Sequence, residues 1–288
     1  MNAASLKESE LSAWVGRSQT THDEITAFPL IALAASLGRD DPPAAVGTAV
    51  PPLWHWLYFL PVYRPDQMRH DGHAQGGEFM PPIPLPRRVW AGSKFSWNVG
   101  NPLRVGDKAR RISRIESITP KEGSSGKLVF VKVVHEFHNE SGLSLTNEHQ
   151  SVYREVPNAN RPPSAPVVAE TEAVWHRVLM PDPVLLFRYS ALTFNSHRIH
   201  YDAPYTMNEE KYPGLLVQGP LTSTLLADLV RRSAPGAAVR SFEVKAVRPS
   251  YVDKPLHLRG SVTGDNVRLW AGDDAGYVTM TASAEVTL

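Results

Sequence analysis

Leu215-Leu216-Val217-Gln218-Gly219-Pro220-Leu221-Thr222-Ser223-Thr224-Leu225-Leu226-Ala227-Asp228-Leu229-Val230-Arg231-Arg232 is the stretch whose reading decides the fold. It predicts a long helix, ended by Pro235-Gly236. In its first half the apolar residues run all the way round the helix, so no side is left for water. Four short runs come after it, Ser241–Val247, Leu256–Thr263, Val267–Ala271 and Tyr277–Val286, each read as a strand. An antiparallel sheet curled around the helix satisfies both patterns at once.

The same plan is legible upstream. Arg87 onward reads as strands: Trp90, Phe95 and Trp97 precede Gly100-Asn101-Pro102, and Arg110–Ile118 alternates. Lys127–His138 and Leu143–Arg154 form a hairpin around Asn139-Glu140-Ser141-Gly142, with one wet face and one packed face. Asp23–Leu37 reads as a helix capped by Thr21 or Asp23, burying Ile25, Phe28, Ile31, Leu33, Ala34 and Leu37, with Pro29 tolerated only near its start. A weak repeat links the halves. Asn101–Lys108 resembles Arg248–Pro255 in lying between two strands, and Gly142 and Gly276 mark corresponding hairpins. The expected class is α+β, an antiparallel sheet wrapped around long central helices in two repeats. The Pro- and Asn-rich linker Pro157–Pro166 divides them into residues 1–160 and 161–288. Val184–Phe194 is read as one further strand.

The chain has 288 residues, 42% hydrophobic and 20% charged, with a formal net charge of +1. That suits a globular protein with a large core and argues against a nucleic-acid partner or an acidic membrane surface. With no cysteine there are no disulfides, thiolate metal sites or Cys nucleophile. No apolar run approaches the roughly 20 residues of a membrane helix, and Met1–Glu10 lacks a signal-peptide pattern, so the expected location is cytoplasmic. The first half carries a long insertion. Pro51–Pro61 is strongly aromatic, either core or a wall of a ligand pocket, and 64–86 reads as an irregular loop with the length of a lid. His70 and His73 flank Asp71 there. Without further ligands nearby they read as loop histidines, and no metal is expected.

Just before the long helix lies Phe194-Asn195-Ser196-His197-Arg198-Ile199-His200-Tyr201-Asp202, crowding two imidazoles, an amide, a guanidinium, a phenol and a carboxylate into nine residues. Together with Gly214-Leu215-Leu216-Val217-Gln218-Gly219, it resembles the motifs of the MaoC-like double hotdog hydratases and dehydratases. That family carries Asp-x-Asn-Pro-Ile/Leu-His and then Gly-x-x-x-His-Gly. Here Asn195 stands at the acid position, His197-Arg198 at Asn-Pro, and Gln218 at the second His. The match is closer to the branch of mesaconyl-C4-CoA and itaconyl-CoA hydratases and fungal-type 3-hydroxyacyl-thioester dehydratases. Sequences of that branch resemble this one over nearly its whole length, including Pro51–Pro61.

The resemblance implies a double hotdog fold and reversible hydration of a short enoyl-CoA, with CoA as part of the substrate and no other cofactor. It makes His200 the proton-transfer candidate, because an imidazole titrates near neutral pH. Asn195 becomes the candidate to hold the water, and Gly219 the backbone donor for enolate charge at a helix start. Asp202, or a carboxylate from the first half, is left to supply or orient the missing acid. His197, Arg198, Tyr201, Asp202, Gln218 and Arg248 are candidate substrate contacts, Arg198 for a second acyl carboxylate and Arg248 for a CoA phosphate. A dehydratase of fatty-acid metabolism acting on 3-hydroxyacyl-CoA or acyl carrier protein, a hotdog thioesterase and a non-catalytic acyl-thioester binder are the alternatives. A monomer and a homodimer both fit.

Overall fold

The computed structural model describes residues 8–75, 78–123, 126–155, 165–168 and 172–287. The first half contributes helix α1 (Glu8–Ser12), strand β1 (Ser18–Glu24), helix α2 (Ala27–Ser36) and strands β2 (Arg87–Trp97), β3 (Lys108–Gly123), β4 (Gly126–Asn139) and β5 (Gly142–Arg154). The second contributes β6 (Trp175–Leu179), helices α3 (Pro183–Leu192), α4 (Ala203–Asn208) and α5 (Gly219–Ser233), and β7 (Ala238–Ala246), β8 (Leu256–Thr263), β9 (Asn266–Gly272) and β10 (Val278–Thr287). Most of the expected linker Pro157–Pro166 lies outside the described residues. Among the described residues no helix is long and apolar enough to cross a membrane.

All ten strands form one sheet in the order β1-β3-β4-β5-β2-β7-β10-β9-β8-β6. The order is a palindrome if each strand of the first half is matched to its counterpart in the second, and the two halves meet where β2 pairs with β7. Backbone bonds fix the match. Val50 N–H donates to Leu103 O (2.8 Å) as Val217 N–H does to Ser250 O (2.9 Å), and Val105 N–H donates to Thr48 O as Val252 N–H does to Leu215 O. Leu103 and Ser250 are 147 positions apart. Phe95 and Phe242, which face each other across β2 and β7, have the same separation. The local two-fold axis therefore passes between these two buried rings. The same separation is the offset of the segments Asn101–Lys108 and Arg248–Pro255, and it matches Gly106 to Asp253. Both take a positive φ (98° and 55°) in the turn before the third strand of their half.

The match also shows where the halves differ. Thr48–Val50 corresponds to Leu215–Val217, so the place of α5 in the first half belongs to the residues after Pro51. There the chain makes only a short 3-10 turn, Trp54–Leu57, flanked by positive φ at Leu53 and Phe59. One long helix, not two, occupies the sheet. Every residue of α5 from Leu221 to Val230 is buried. In the first half Leu53, Trp54, Leu57, Tyr58 and Phe59 join the core instead.

Three local expectations change. Asp23 and Glu24 do not start a helix. They pair with Ala109 and Lys108 across β1 and β3, Asp23 Oδ2 accepts from Phe59 N–H (2.6 Å), and α2 begins at Ala27. It buries Leu30 and Leu33, while Phe28 is 72% exposed and Ile31 also faces water. Val184–Phe194 is the helix α3, not a strand. Asp182 caps it by accepting from Leu185 N–H (2.7 Å), with Pro183 at the first helical position.

The halves are also tied by charge. Asp228 on α5 is fully buried and meets Arg39, Arg177 (3.2 Å) and Arg232 (2.6 Å). Arg177 and Arg232 further donate to Leu37 O (3.3 and 3.1 Å), satisfying a carbonyl left open at the end of α2. Removing the one carboxylate leaves Arg177 and Arg232 without a carboxylate partner among the described residues, while Arg39 keeps Asp41 (2.7 Å). Asp228→Asn should therefore lower unfolding free energy by about 3–5 kcal/mol. Urea denaturation measures this, and an unchanged midpoint would show that the cluster contributes little.

Candidate active site

The motif after α3 is folded by its own polar groups. Phe194 takes a positive φ (49°), Asn195 N–H donates to Ser190 O, and Asn195 Oδ1 accepts from His197 N–H (3.1 Å). A 3-10 turn, Arg198–His200, comes next, and Asp202 caps α4 by accepting from Tyr205 N–H (3.0 Å). His200 is buried, with Nδ1 2.8 Å from Leu216 O. A carbonyl only accepts, so Nδ1 carries the hydrogen and Nε2 keeps its lone pair. Leu216 N–H in turn donates to Ile199 O (3.0 Å), which locks the imidazole to the segment leading into α5.

The insertion reaches this motif from the first half. Ser196 Oγ donates to Gly72 O (2.7 Å), and Arg198 N–H donates to Asp71 O (3.0 Å). Gly72 has φ 87°, and a Cβ there would fall 1.9 Å from Ser196 O. Only glycine allows this approach. The docking lays the His73 ring against His197, centroids 3.9 Å apart, and His197 stands edge-on to His200 at 5.4 Å. Asp71 accepts from His73 N–H (2.9 Å), and its Oδ2 lies 3.4 Å from His73 Nδ1 and 3.6 Å from Arg69 Nη2.

Electrostatics sorts these groups. Burial alone would raise the Asp71 carboxyl, but the hydrogen bonds from His73 and the charges of His73 and Arg69 outweigh it and hold it well below the usual carboxylate range. Burial pushes His200 down to about 4, against its bond to Leu216. Burial, with His73 and His200 beside it, pushes His197 down to about 2. The cluster is thus a carboxylate with three stacked or edge-on imidazoles, two of them held neutral.

Asp71 and His73 are not among the site residues expected from sequence. The His-Asp-Gly-His spacing is visible there, but the partner that gives it meaning lies more than 120 residues away. The expectation that no further ligand lies near His73 is corrected: ligand-type atoms of Asp71, His73 and His197 lie within 4.8 Å of one another. His70 turns away, to Glu209 (3.0 Å) and Arg198.

Several other candidates have structural duties. The Arg198 guanidinium donates from Nη2 and Nε to one oxygen, Asp202 Oδ2 (2.8 and 3.1 Å), and covers Tyr205, so it is not open to an acyl carboxylate. Asp202 is spent on that pair and on the cap, and Leu216 O, not Asp202, orients His200. Asn195 Oδ1 is engaged by His197 N–H rather than aimed at His200. The amide of Gln218, fully buried, donates to Leu186 O and Ser190 Oγ (both 2.9 Å) and ties α3 to the start of α5. Tyr201 is exposed and bonds Ser196 O (3.1 Å). Arg248 lies on the exposed β7–β8 connection over Tyr277, 4.0 Å from Asp273. Gly219 opens α5 with Trp90 packed against it; a Cβ would meet that ring at 2.7 Å.

Buried neutral histidines make stability pH-dependent. Burial lowers His200 to about 4, His55 and His149 to about 3, His197 to about 2, and His135 well below its ordinary 6.5. As pH falls below 6.5 the unfolded chain takes up protons that the folded chain refuses until about pH 4 or lower. Stability is therefore full above 6.5 and declines through that window, by up to about 1.4 kcal/mol per pH unit for each such histidine. Denaturant midpoints at pH 7.5, 6 and 5 should fall in that order, and a flat series would show these imidazoles to be solvated.

Comparison with known proteins places the chain. Residues 53–252 match the family model for hydroxyacyl-thioester dehydratase type 2. The chain is 41% identical over 285 residues to the mesaconyl-C(4)-CoA hydratase of Chloroflexus aurantiacus, covering 98% of this chain and 99% of that one. It is 25% identical over 283 residues to the mitochondrial hydroxyacyl-thioester dehydratase type 2 of Schizosaccharomyces pombe, covering 86% and 90%. A Mycobacterium tuberculosis protein described as having a double hotdog fold superimposes with a TM-score of 0.57 at 13% identity, over 95% of this chain and 96% of that one. The duplicated sheet, the single buried helix and these matches agree: the chain is a double hotdog protein and belongs to the hydroxyacyl-thioester dehydratase type 2 family.

Proposed function

We propose that this protein catalyses the reversible addition of water to the 2,3-double bond of a short enoyl-CoA thioester of the mesaconyl-C4-CoA or itaconyl-CoA type. The observation that carries the reading is His200: buried, neutral, its tautomer fixed by Leu216 O, and facing a second histidine system backed by a carboxylate. The identity to a mesaconyl-C4-CoA hydratase over nearly the whole chain supports the substrate type.

Hydration needs a base for the water proton, an acid for the α-carbon and a donor for the enolate oxygen. His200 Nε2 takes the proton as the water oxygen bonds to the β-carbon. The electron pair of the double bond moves toward the thioester carbonyl, whose oxygen faces the Gly219 N–H at the start of α5, where the helix dipole favours negative charge. His73, paired with Asp71, returns a proton to the α-carbon. Dehydration runs the same steps backward. His197 keeps the space between the two imidazoles dry and uncharged. Arg248 is an exposed candidate for a CoA phosphate.

No metal is assigned a role. Asp71, His73 and His197 have donor types that would hold a divalent cation, yet the His73 and His197 rings are in direct contact, centroids 3.9 Å apart and planes tilted by 44°, as packed imidazoles are. Dialysis against EDTA should leave the rate unchanged; loss of activity restored by a divalent cation would make the trio a metal centre instead.

Incubation with mesaconyl-C4-CoA should consume the enoyl-thioester absorbance without releasing free thiol, and thiol release would mark a thioesterase. His200→Ala should reduce kcat by roughly 10²–10⁴-fold with the thermal melt retained. Asn195→Asp should leave the pH–rate profile in place, because its side chain serves the turn; a new acidic limb would put Asn195 at the reacting water.

A further inference from the structure

The inner face of the sheet differs sharply between the halves. In the second half Leu256, Leu258, Val267, Leu269 and Ala271 are buried in the core with α5. With the 147-residue match, Arg111 and Ser113 stand where Leu258 and Gly260 do. Ser113 pairs in register with His135, and His135 with Asn147; Ser113 Oγ and His135 Nδ1 are 2.7 Å apart. His149 lies one step along, its ring 6.1 Å from that of His135. Both ring nitrogens of His55, Arg111 Nε and Asn147 Oδ1 are buried without hydrogen-bond partners among the described residues. A face meant only for packing would not carry this band, since each unpaired polar group costs free energy.

A cavity of about 110 Å³ adjoins it, lined among others by Arg69, His73, Phe79, Ile83, Arg88 and Tyr153. His73 belongs to the reacting cluster. Arg88, half-buried on β2, faces Tyr153 in register with its guanidinium 5.9 Å from that ring. Tyr153 stands four positions from His149 on β5, on the same face of the strand, which ties the cavity to the polar band. Neighbouring cations are paired, Arg87 with Glu210 (3.1 Å) and Arg69 with Asp71. Arg88 has no carboxylate partner among the described residues, and the acidic lining residue Glu78 is exposed, 3.4 Å from Gln67 Nε2.

We infer that this cavity is the acyl subsite and that Arg88 binds a free carboxylate at the far end of the acyl group, so that the enzyme selects CoA monothioesters of short dicarboxylic acids. The inference rests on the hydration reading for the chemistry but not for binding. The small volume admits a short acyl group between His73 and Arg88. A planar guanidinium matches a carboxylate with two parallel hydrogen bonds. A hydrocarbon tail would leave the half-buried cation desolvated and unpaired.

The test compares full-length wild type, Arg88→Gln and Arg88→Lys. Isothermal calorimetry with succinyl-CoA and butyryl-CoA reads binding, and kcat/KM with mesaconyl-C4-CoA and crotonyl-CoA reads turnover. Wild type should prefer the carboxylate-bearing member of each pair. Arg88→Gln should lose roughly 10–100-fold for that member, the worth of a charged hydrogen bond, and leave butyryl-CoA and crotonyl-CoA unchanged or improved, because the desolvated cation is gone. Arg88→Lys should recover part of the loss. Equal affinity of wild type for succinyl-CoA and butyryl-CoA, or an equal fall for both members in Arg88→Gln with the melt retained, overturns the subsite. Selective succinyl-CoA binding without hydration of either enoyl-CoA leaves the subsite standing and sinks the hydration reading.

Discussion

A curled antiparallel sheet has an inside, and something must fill it. In the second half α5 does so with ten consecutive buried residues. In the first half the helix is cut to the turn Trp54–Leu57, and the vacated space is shared between aromatic packing and the inserted segment that comes after it. Most of what distinguishes the protein stems from this. The insertion has to come back over the sheet to close it, and in doing so it carries Asp71 and His73 to the edge of the other half. The polar inner face of β3, β4 and β5 is compatible with the fold only because no helix needs to lie on it.

The site is therefore asymmetric although the scaffold is nearly two-fold. Phe95 and Phe242 sit on the axis and treat both halves alike. Away from the axis, one half supplies His197, His200 and the start of α5, and the other supplies a carboxylate–histidine pair and the neighbouring cavity. Desolvation links the two contributions. His197 and His200 are held neutral chiefly by being buried, so the insertion acts on the chemistry as much by excluding water as by the atoms it presents.

What is legible in the sequence, and what is not, divides by the range of the interactions. Leu256–Thr263 alternates cleanly and occupies those same residues as β8, because strand pattern and burial are local. β1 gives little signal because Ser18–Glu24 is an edge strand with little buried on either face. The α3 segment is an apolar run whose type depends on its cap, and Asp182-Pro183 is the signal that settles it. His200 and the start of α5 stand out because their spacing is compact. The Asp71–His73 pair does not, and Asn195, Asp202 and Gln218 look chemical because polar residues that cap and brace tight turns have the same composition as polar residues that react.

The approach of Gly72 to Ser196 has a bearing on how the molecule comes together. It joins residues 124 positions apart, through a hydrogen bond and a backbone approach too close for any side chain. Hairpins such as β4–β5 close short loops and lose little chain entropy; this contact closes a long one, and its partners have a fixed mutual position only once both halves of the sheet exist. The contact therefore depends on the finished scaffold, and the scaffold does not depend on it. With this one contact open, the strands and most of the core would stay in place, yet the chain would hold two disconnected sets of histidines.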